Sequence, residues 1–177
     1  MSILQAPTDT RLLRSRLYQI AQEPDLNIQA ERIEGLRKEL THSIQVLPTL
    51  VPHKSYNCVM HALGLERDNF TRPDLAAYQA KPSFIDFLFF RDHLVSRPIG
   101  VNGSLIVYFT DSKVQHIGRM IDNSRVESKW GTGHLCKHGL WEVPCNYGDK
   151  VSFFDPIDHD AVLDRFCQWQ KCEGRHQ

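Results

Sequence analysis

Apolar residues in this 177-residue chain follow one rhythm in its first quarter and another after residue 100. Between 8 and 47 they recur three or four positions apart. Leu12, Leu13, Leu17 and Ile20 form one stripe; Leu26, Ile33, Leu36, Leu40, Ile44 and Leu47 form a second. That spacing predicts two amphipathic helices, the first capped by Thr8 or Asp9, with Pro24 and Asp25 separating them. The outer face of the second is charged: Glu31, Arg32, Glu34, Arg37, Lys38 and Glu39. Such a pair reads as a helical hairpin packed on the rest of the chain, or as a partner-docking arm. A short helix is predicted from Cys58, because Asn57 is a favoured N-cap type and Gly64 a favoured residue just past a helix end. Residues 65–82 are polar and broken by Arg72-Pro73 and Lys81-Pro82, which predicts a loop with a helical turn near 75–78. Ser83 then caps Phe84, Ile85, Phe87, Leu88, Phe89, Phe90 and Leu94, a run too apolar for a solvent-facing helix. It reads as a helix buried against a sheet.

After Arg97-Pro98 and Gly100 the period shortens to that of strands. Strands are expected over 104–110, 114–121 and 125–130, joined at Asp111-Ser112 and Asp122-Asn123-Ser124. Residues 140–143 and 150–154 are expected to add two short strands around the turn at Tyr147-Gly148-Asp149. A closing helix over 160–172 carries Val162, Leu163, Phe166 and Trp169 on one face. The order is helices, a cysteine-bearing helix, then an antiparallel meander. This is an α+β chain with helices on one face of a small sheet. Residues 1–50 form an appended helical hairpin, and 51–177 the main domain.

Composition narrows the function classes. Lys and Arg number 21, as do Asp and Glu, so no basic excess points to nucleic acid. No apolar run approaches the length of a membrane span. The first ten residues lack a basic-then-apolar leader, so the expected location is the cytoplasm, with secretion lacking a cleaved signal as the alternative. The five cysteines, Cys58, Cys136, Cys145, Cys167 and Cys172, are odd in number and read as free thiols.

Cys58 is the candidate for chemistry. At the first turn of a helix capped by Asn57, its sulfur meets unpaired backbone N–H groups, which favour thiolate. A base must come from elsewhere, and His116, inside the second predicted strand, is the candidate. Gly118, two residues on, would leave the same sheet face open to a helix or substrate.

Asn57-Cys58 opening a short helix, followed by a strand bearing His116-Ile117-Gly118, resembles the NlpC-type branch of the papain-like cysteine peptidases and amidases. A closer resemblance, over 55–150, is to a little-studied bacterial group. It rests on Asn57-Cys58, Ser128-Lys129-Trp130-Gly131, His138 and Tyr147-Gly148 in that order. The resemblance implies a papain-like fold, Cys58 as nucleophile and His116 as base. The matching third position, which orients the imidazole, falls on Ser128, where the family has His, Asn, Asp or Gln. Glu127, on the opposite sheet face of a regular strand, is the fallback. Chemistry of this kind attacks an amide carbonyl, forms a thioester and releases it to water. The oxyanion would take the Cys58 N–H, with Tyr56 or Asn57 as a second donor. His138 reads as a substrate-side or structural histidine near the cleft. A peptidase, amidase or glutamine deamidase acting on a protein or peptide is implied, an effector or toxin among the possibilities, without cofactor, nucleic acid or membrane.

Three rival readings use the same residues. His134, Cys136, His138 and Cys145 are metal-ligand types, but His-x-Cys-x-His is not a usual zinc spacing, so no metal is expected. His61, one turn after Cys58, reads as a buried helix histidine. In the third reading Cys58 is a packed thiol, and the chain is a non-catalytic interaction module that meets a partner protein through its N-terminal helices.

Overall fold

The computed structural model describes residues 3–76, 82–91 and 94–173. Its frame is one antiparallel sheet. The strands are β1 (Leu4–Gln5), β2 (Gln45–Leu47), β3 (Ser96–Arg97), β4 (Leu105–Thr110), β5 (Lys113–Met120), β6 (Arg125–Lys129), β7 (Leu135–Gly139) and β8 (Lys150–Phe154). They lie in the order β1-β8-β4-β5-β6-β7-β2, and β3 also pairs with β8. Strands β4 to β7 form the expected meander, while β8 returns to the far side of β4, setting Val107 opposite Ser152. The mixed α+β class holds.

Helices cover both faces of the sheet rather than one. On one face lie α3 (Cys58–Ala62), α5 (Pro82–Phe90) and α6 (His159–Glu173). Met60, Phe84, Leu88, Phe166 and Trp169 pack there against Leu105, Val107, Phe109 and Ile117. On the other lie α1 (Arg11–Ala21) and α2 (Leu26–Leu36), whose Leu13, Leu17, Ile20, Ile33 and Leu36 meet Trp130 and Cys136. Ile106, Tyr108, Met120, Val126, Val151 and Phe153 continue that second layer. Leu17 is fully buried, and each such side chain contributes roughly 1.5–3 kcal/mol. Both faces of β4 are therefore apolar, which explains its unbroken Leu-Ile-Val-Tyr-Phe run.

Three expectations need correction. The second helix ends at Leu36 rather than running on to Leu47, and 45–47 is strand β2. The apolar stripe continued only because Ile44 stays buried and Val46 and Leu47 half-buried after the backbone has left the helix. The Arg37 guanidinium holds the Ile44 carbonyl at that exit. Residues 140–143 form no strand; the strand at this point is β7, pinned by Val126 opposite His138. Its Leu-Cys-Lys-His-Gly sequence has little β character, so pairing rather than propensity makes it a strand. Finally, α5 begins at Pro82, one residue before Ser83. The expected turn near 75–78 is met by α4 (Arg72–Leu75). Residues 77 and 78 and the side chain of Phe90 lie outside what is described.

Candidate functional site

Helix α3 begins as its sequence directs. The Asn57 Oδ1 accepts from the N–H groups of Val59 and Met60, both at 3.1 Å. The Asn57 amide donates to the Leu75 carbonyl at 2.5 Å, tying the cap to α4. The helix stops in a Schellman turn: Leu65 N–H bonds the Met60 carbonyl and Gly64 N–H the His61 carbonyl. Gly64 takes φ +72°, which a side chain would strain. Cys58 is thus the first helical residue, with Asn57 serving as cap rather than oxyanion donor.

The structure does not join Cys58 to His116. Helix α3 lies on the Ile117 face of β5, and Cys58 packs into the cluster containing Ile117. His116 points to the other face. Its ring stacks on Tyr147 at 4.0 Å and 17° and lies 5.6 Å from the ring of Tyr108. Alternation along the strand is the cause: a helix that covers residue 117 is separated from the side chain of 116 by the sheet itself. His116 is 1% exposed, and its Nε2 has no hydrogen-bond partner among the described residues. Burial, then the neighbouring His138 and His61, holds its pKa well below the usual value. Cys58 is half-buried. Burial pushes its thiol up, outweighing the Ile117, Val59 and Cys58 amides and the Lys129 ammonium that favour thiolate.

The other expected members separate along the same division. Ser128 shares the His116 face, but its hydroxyl donates to His138 Nε2 at 2.8 Å. His138 in turn donates from Nδ1 to the Gly139 carbonyl at 2.8 Å. Ser128 therefore orients His138 and not His116. His138 is fully buried rather than cleft-side, and burial pulls its pKa down to about 4. The face beside Gly118 is not open: a Cβ there would stand 2.7 Å from Val126 Cγ1 and 3.0 Å from Ser128 Cβ. Glu127 faces α3, as strand alternation requires, but serves His61. Tyr56 is buried; its hydroxyl pairs with Thr49 Oγ1 at 3.1 Å, and the Lys129 ammonium sits 4.9 Å from its ring centre. Among the described residues no group of three or more His, Cys, Asp or Glu is arranged to hold a metal ion.

What gathers on the α3 face is a cluster the sequence reading missed. His61 Nδ1 meets Glu66 Oε1 at 2.8 Å, and His61 Nε2 meets Glu127 Oε1 at 3.1 Å. A carboxylate at each ring nitrogen favours the doubly protonated, cationic imidazole. Burial opposes that charge, but the two hydrogen bonds outweigh it and the net pKa is raised. His61 holds the Glu127 carboxyl below its usual range, and overcomes burial to do the same for Glu66. Arg119 reaches across to the Ala62 carbonyl, fixing β5 to the end of α3. Lys129 is fully buried, bonded to the Gly133 carbonyl, and burial lowers its pKa to about 8. Beside this cluster opens a cavity of about 470 Å³ lined by Pro48, Leu50, Val51, Tyr56, Leu135, His61, Glu66, Arg67, Asp68 and His159 among others. The one legible signal was the i, i+3 spacing of Cys58 and His61, which places both on one side of a short helix.

A family model, the domain of unknown function DUF7689, matches residues 50–155. The chain belongs to this family. No curated protein and no solved structure matches it. The DUF7689 segment holds Cys58, His61, Glu66, His116, Glu127, Lys129 and most of the cavity wall, whereas α1, α2, β1, β2 and α6 lie outside it. No described helix is long and apolar enough to cross a membrane.

Proposed function

We propose that this DUF7689 chain is a recognition module that binds a short peptide segment in the cavity beside α3, on a papain-like framework no longer used for thiol chemistry. The observation that carries this reading is the cavity lining. The lining combines apolar residues, Pro48, Leu50, Val51 and Leu135, with ionisable ones, His61, Glu66, Arg67, Asp68 and His159. Neither Cys58 nor His116 is among the lining residues. A peptide offers both an apolar side chain and charged groups over a few ångströms, which suits such a lining. The test is an NMR titration of labelled protein with three N-acetylated tripeptide amides, Ala-Leu-Lys, Ala-Leu-Glu and Ala-Leu-Ala, at millimolar concentration. Amide shifts confined to 48–51 and 61–68, and abolished by Leu50→Asp, support the module. Shifts with none of the three, or shifts that survive Leu50→Asp, refute it.

One observation favours a second reading, amide hydrolysis by Cys58. A fully buried imidazole nitrogen without a partner, such as His116 Nε2, is rare in a structural role. In that reading the thiol proton passes to His116, the sulfur attacks the carbonyl, and the departing amine takes the proton from the imidazolium. Water then cleaves the thioester. His116 would first have to reach the α3 side of β5. Iodoacetamide labelling at neutral pH separates the two readings. The module predicts that Cys58 reacts more slowly than the exposed Cys172; the hydrolase predicts faster reaction, slowed by His116→Ala.

A further inference from the structure

We propose that α1, together with the turn at residues 145–147, is an acid-released cover over the sheet, with His116 and His138 beneath it as the trigger. Three observations point this way. First, the two imidazoles are 1% and 0% exposed on one sheet face. His138 makes two neutral-form hydrogen bonds, and His116 has an Nε2 without any partner. A second proton on the His116 ring would make a buried cation whose Nε2 meets no acceptor among the described residues. A proton on His138 Nε2 would require Ser128 to give up its donated bond.

Second, that face already holds a charge. Arg14 of α1 is 5% exposed, donates to the Val143 and Gly148 carbonyls, and lies 5.6 Å from the Trp141 ring centre. Its guanidinium is the clip between α1 and the body, and it grips the backbone on either side of Tyr147, the residue stacked on His116. Asp149 and Cys145 also act on that guanidinium, but a second cation raised on His116 or His138 has no carboxylate hydrogen-bonded to its ring among the described residues. The groups facing the pair come from every neighbouring element. Tyr108 of β4 and Tyr147 face His116, with His61 of α3 acting through the sheet. Ser128 of β6, Trp130 and the more distant Glu142 face His138. Glu142 is the only acid in this set, and it is engaged by Ser43 and the Gly139 N–H.

Third, side chains hold α1 to the sheet, while the chain on either side of it is held by strand pairing, β1 to β8 and β2 to β7. Helix α1 precedes the DUF7689 segment and the turn at 145–147 lies within it; the two meet through Arg14, while Leu13, Leu17 and Ile20 pack with Trp130. The α3–α5–α6 layer lies on the other face and shares none of these contacts. Half-buried His42, whose Nδ1 accepts from the Ile44 N–H, lies further along the same leading segment, beyond α2. Burial and Arg37 lower its pKa.

The test is hydrogen exchange of the full chain at pH 7.5 and 5.0, corrected for intrinsic rates. Residues 11–21 should lose protection at least tenfold at pH 5.0 while β4 and β8 keep theirs. His116→Phe and His138→Gln together should reduce that change to under threefold. The proposal fails if α1 and β4 lose protection at the same pH, or if the double variant responds like the parent. Should the variant not fold, the imidazole resonances of the parent chain decide. Protonation of His116 and His138 must share the midpoint of α1 release, and a midpoint more than one pH unit away overturns the proposal.

Discussion

Replacing Asn57 with alanine removes the hydrogen bonds it makes to Val59, Met60 and Leu75 at the foot of α3. Two are the cap bonds to the Val59 and Met60 N–H groups, and their loss costs about 1 kcal/mol, within a range of roughly 0.5–2. The third is the bond to the Leu75 carbonyl, which lies beside a fully buried side chain that water does not reach. An acceptor stranded there costs about 1–3 kcal/mol. The two losses are separate in kind, so Asn57→Ala should destabilise the chain by about 2–4 kcal/mol, a large share of the stability of a domain this size. At a slope near 2 kcal/mol per molar urea this lowers the unfolding midpoint by about 1–2 M. Asn57→Asp keeps the accepting oxygen, places an anion at a helix N-terminus, and removes the amide donor to Leu75. It should therefore lose about half as much. Paired urea titrations followed by far-ultraviolet circular dichroism measure both. An Asn57→Ala midpoint within 0.3 M of the parent would refute the argument, as would equal losses for the two variants.

Gly118→Ala would set a methyl 2.7 Å from Val126 Cγ1 and 3.1 Å from the Glu127 carbonyl oxygen, so the urea midpoint should fall by an amount matching about 1–3 kcal/mol. Acid should weaken the fold through His116 and His138, whose folded pKa values are depressed. The unfolded chain takes up protons below about pH 6.5. Their contribution is therefore complete above that pH and lost as pH falls toward about 4, the folded value of His138. His61 has the opposite sign: its pKa is raised, so its contribution is complete below pH 6.5 and lost as pH climbs through the raised value. Urea midpoints from pH 4.5 to 8.5 should show both limbs, and His138→Asn should make the acid one shallower, to the part His116 contributes, while leaving the alkaline one unchanged. Glu127→Gln should lower the pKa of the His61 ring, visible as an earlier titration of its Cε1 proton.

Much of this architecture was legible because local chemistry and tertiary structure agree. Asn57 caps where an asparagine before a short apolar stretch should, Gly64 ends the helix as a glycine in that place does, and Asp122 closes the β5–β6 hairpin with its side chain. The errors arose where burial imitates periodicity. Ile44 and Leu47 extended a helical stripe although they belong to the approach to β2 and to the strand itself, and the polar β7 was hidden because its neighbours hold it in place. Pairing Cys58 with His116 failed for a different reason. Sequence places both residues on the correct elements, but which face of β5 receives α3 depends on a single residue of register. Ile117 takes that face, so His116 is turned away from the thiol. His61, Glu66 and Glu127 meet only in three dimensions, and nothing in their spacing to Glu127 forecasts it.

Both rims of the sheet come from the same forty-odd residues at the start of the chain: β1 lines β8 on one side and β2 lines β7 on the other. The leading segment thus works as a belt, buckled at each end by main-chain bonds. A fragment cut to 50–155 would lose both buckles along with α6, leaving β7 wholly unguarded and β8 with only the two-residue β3 beside it. Bare strand margins recruit one another. Such a fragment should self-associate, so the family segment alone is a poor stand-in for the protein.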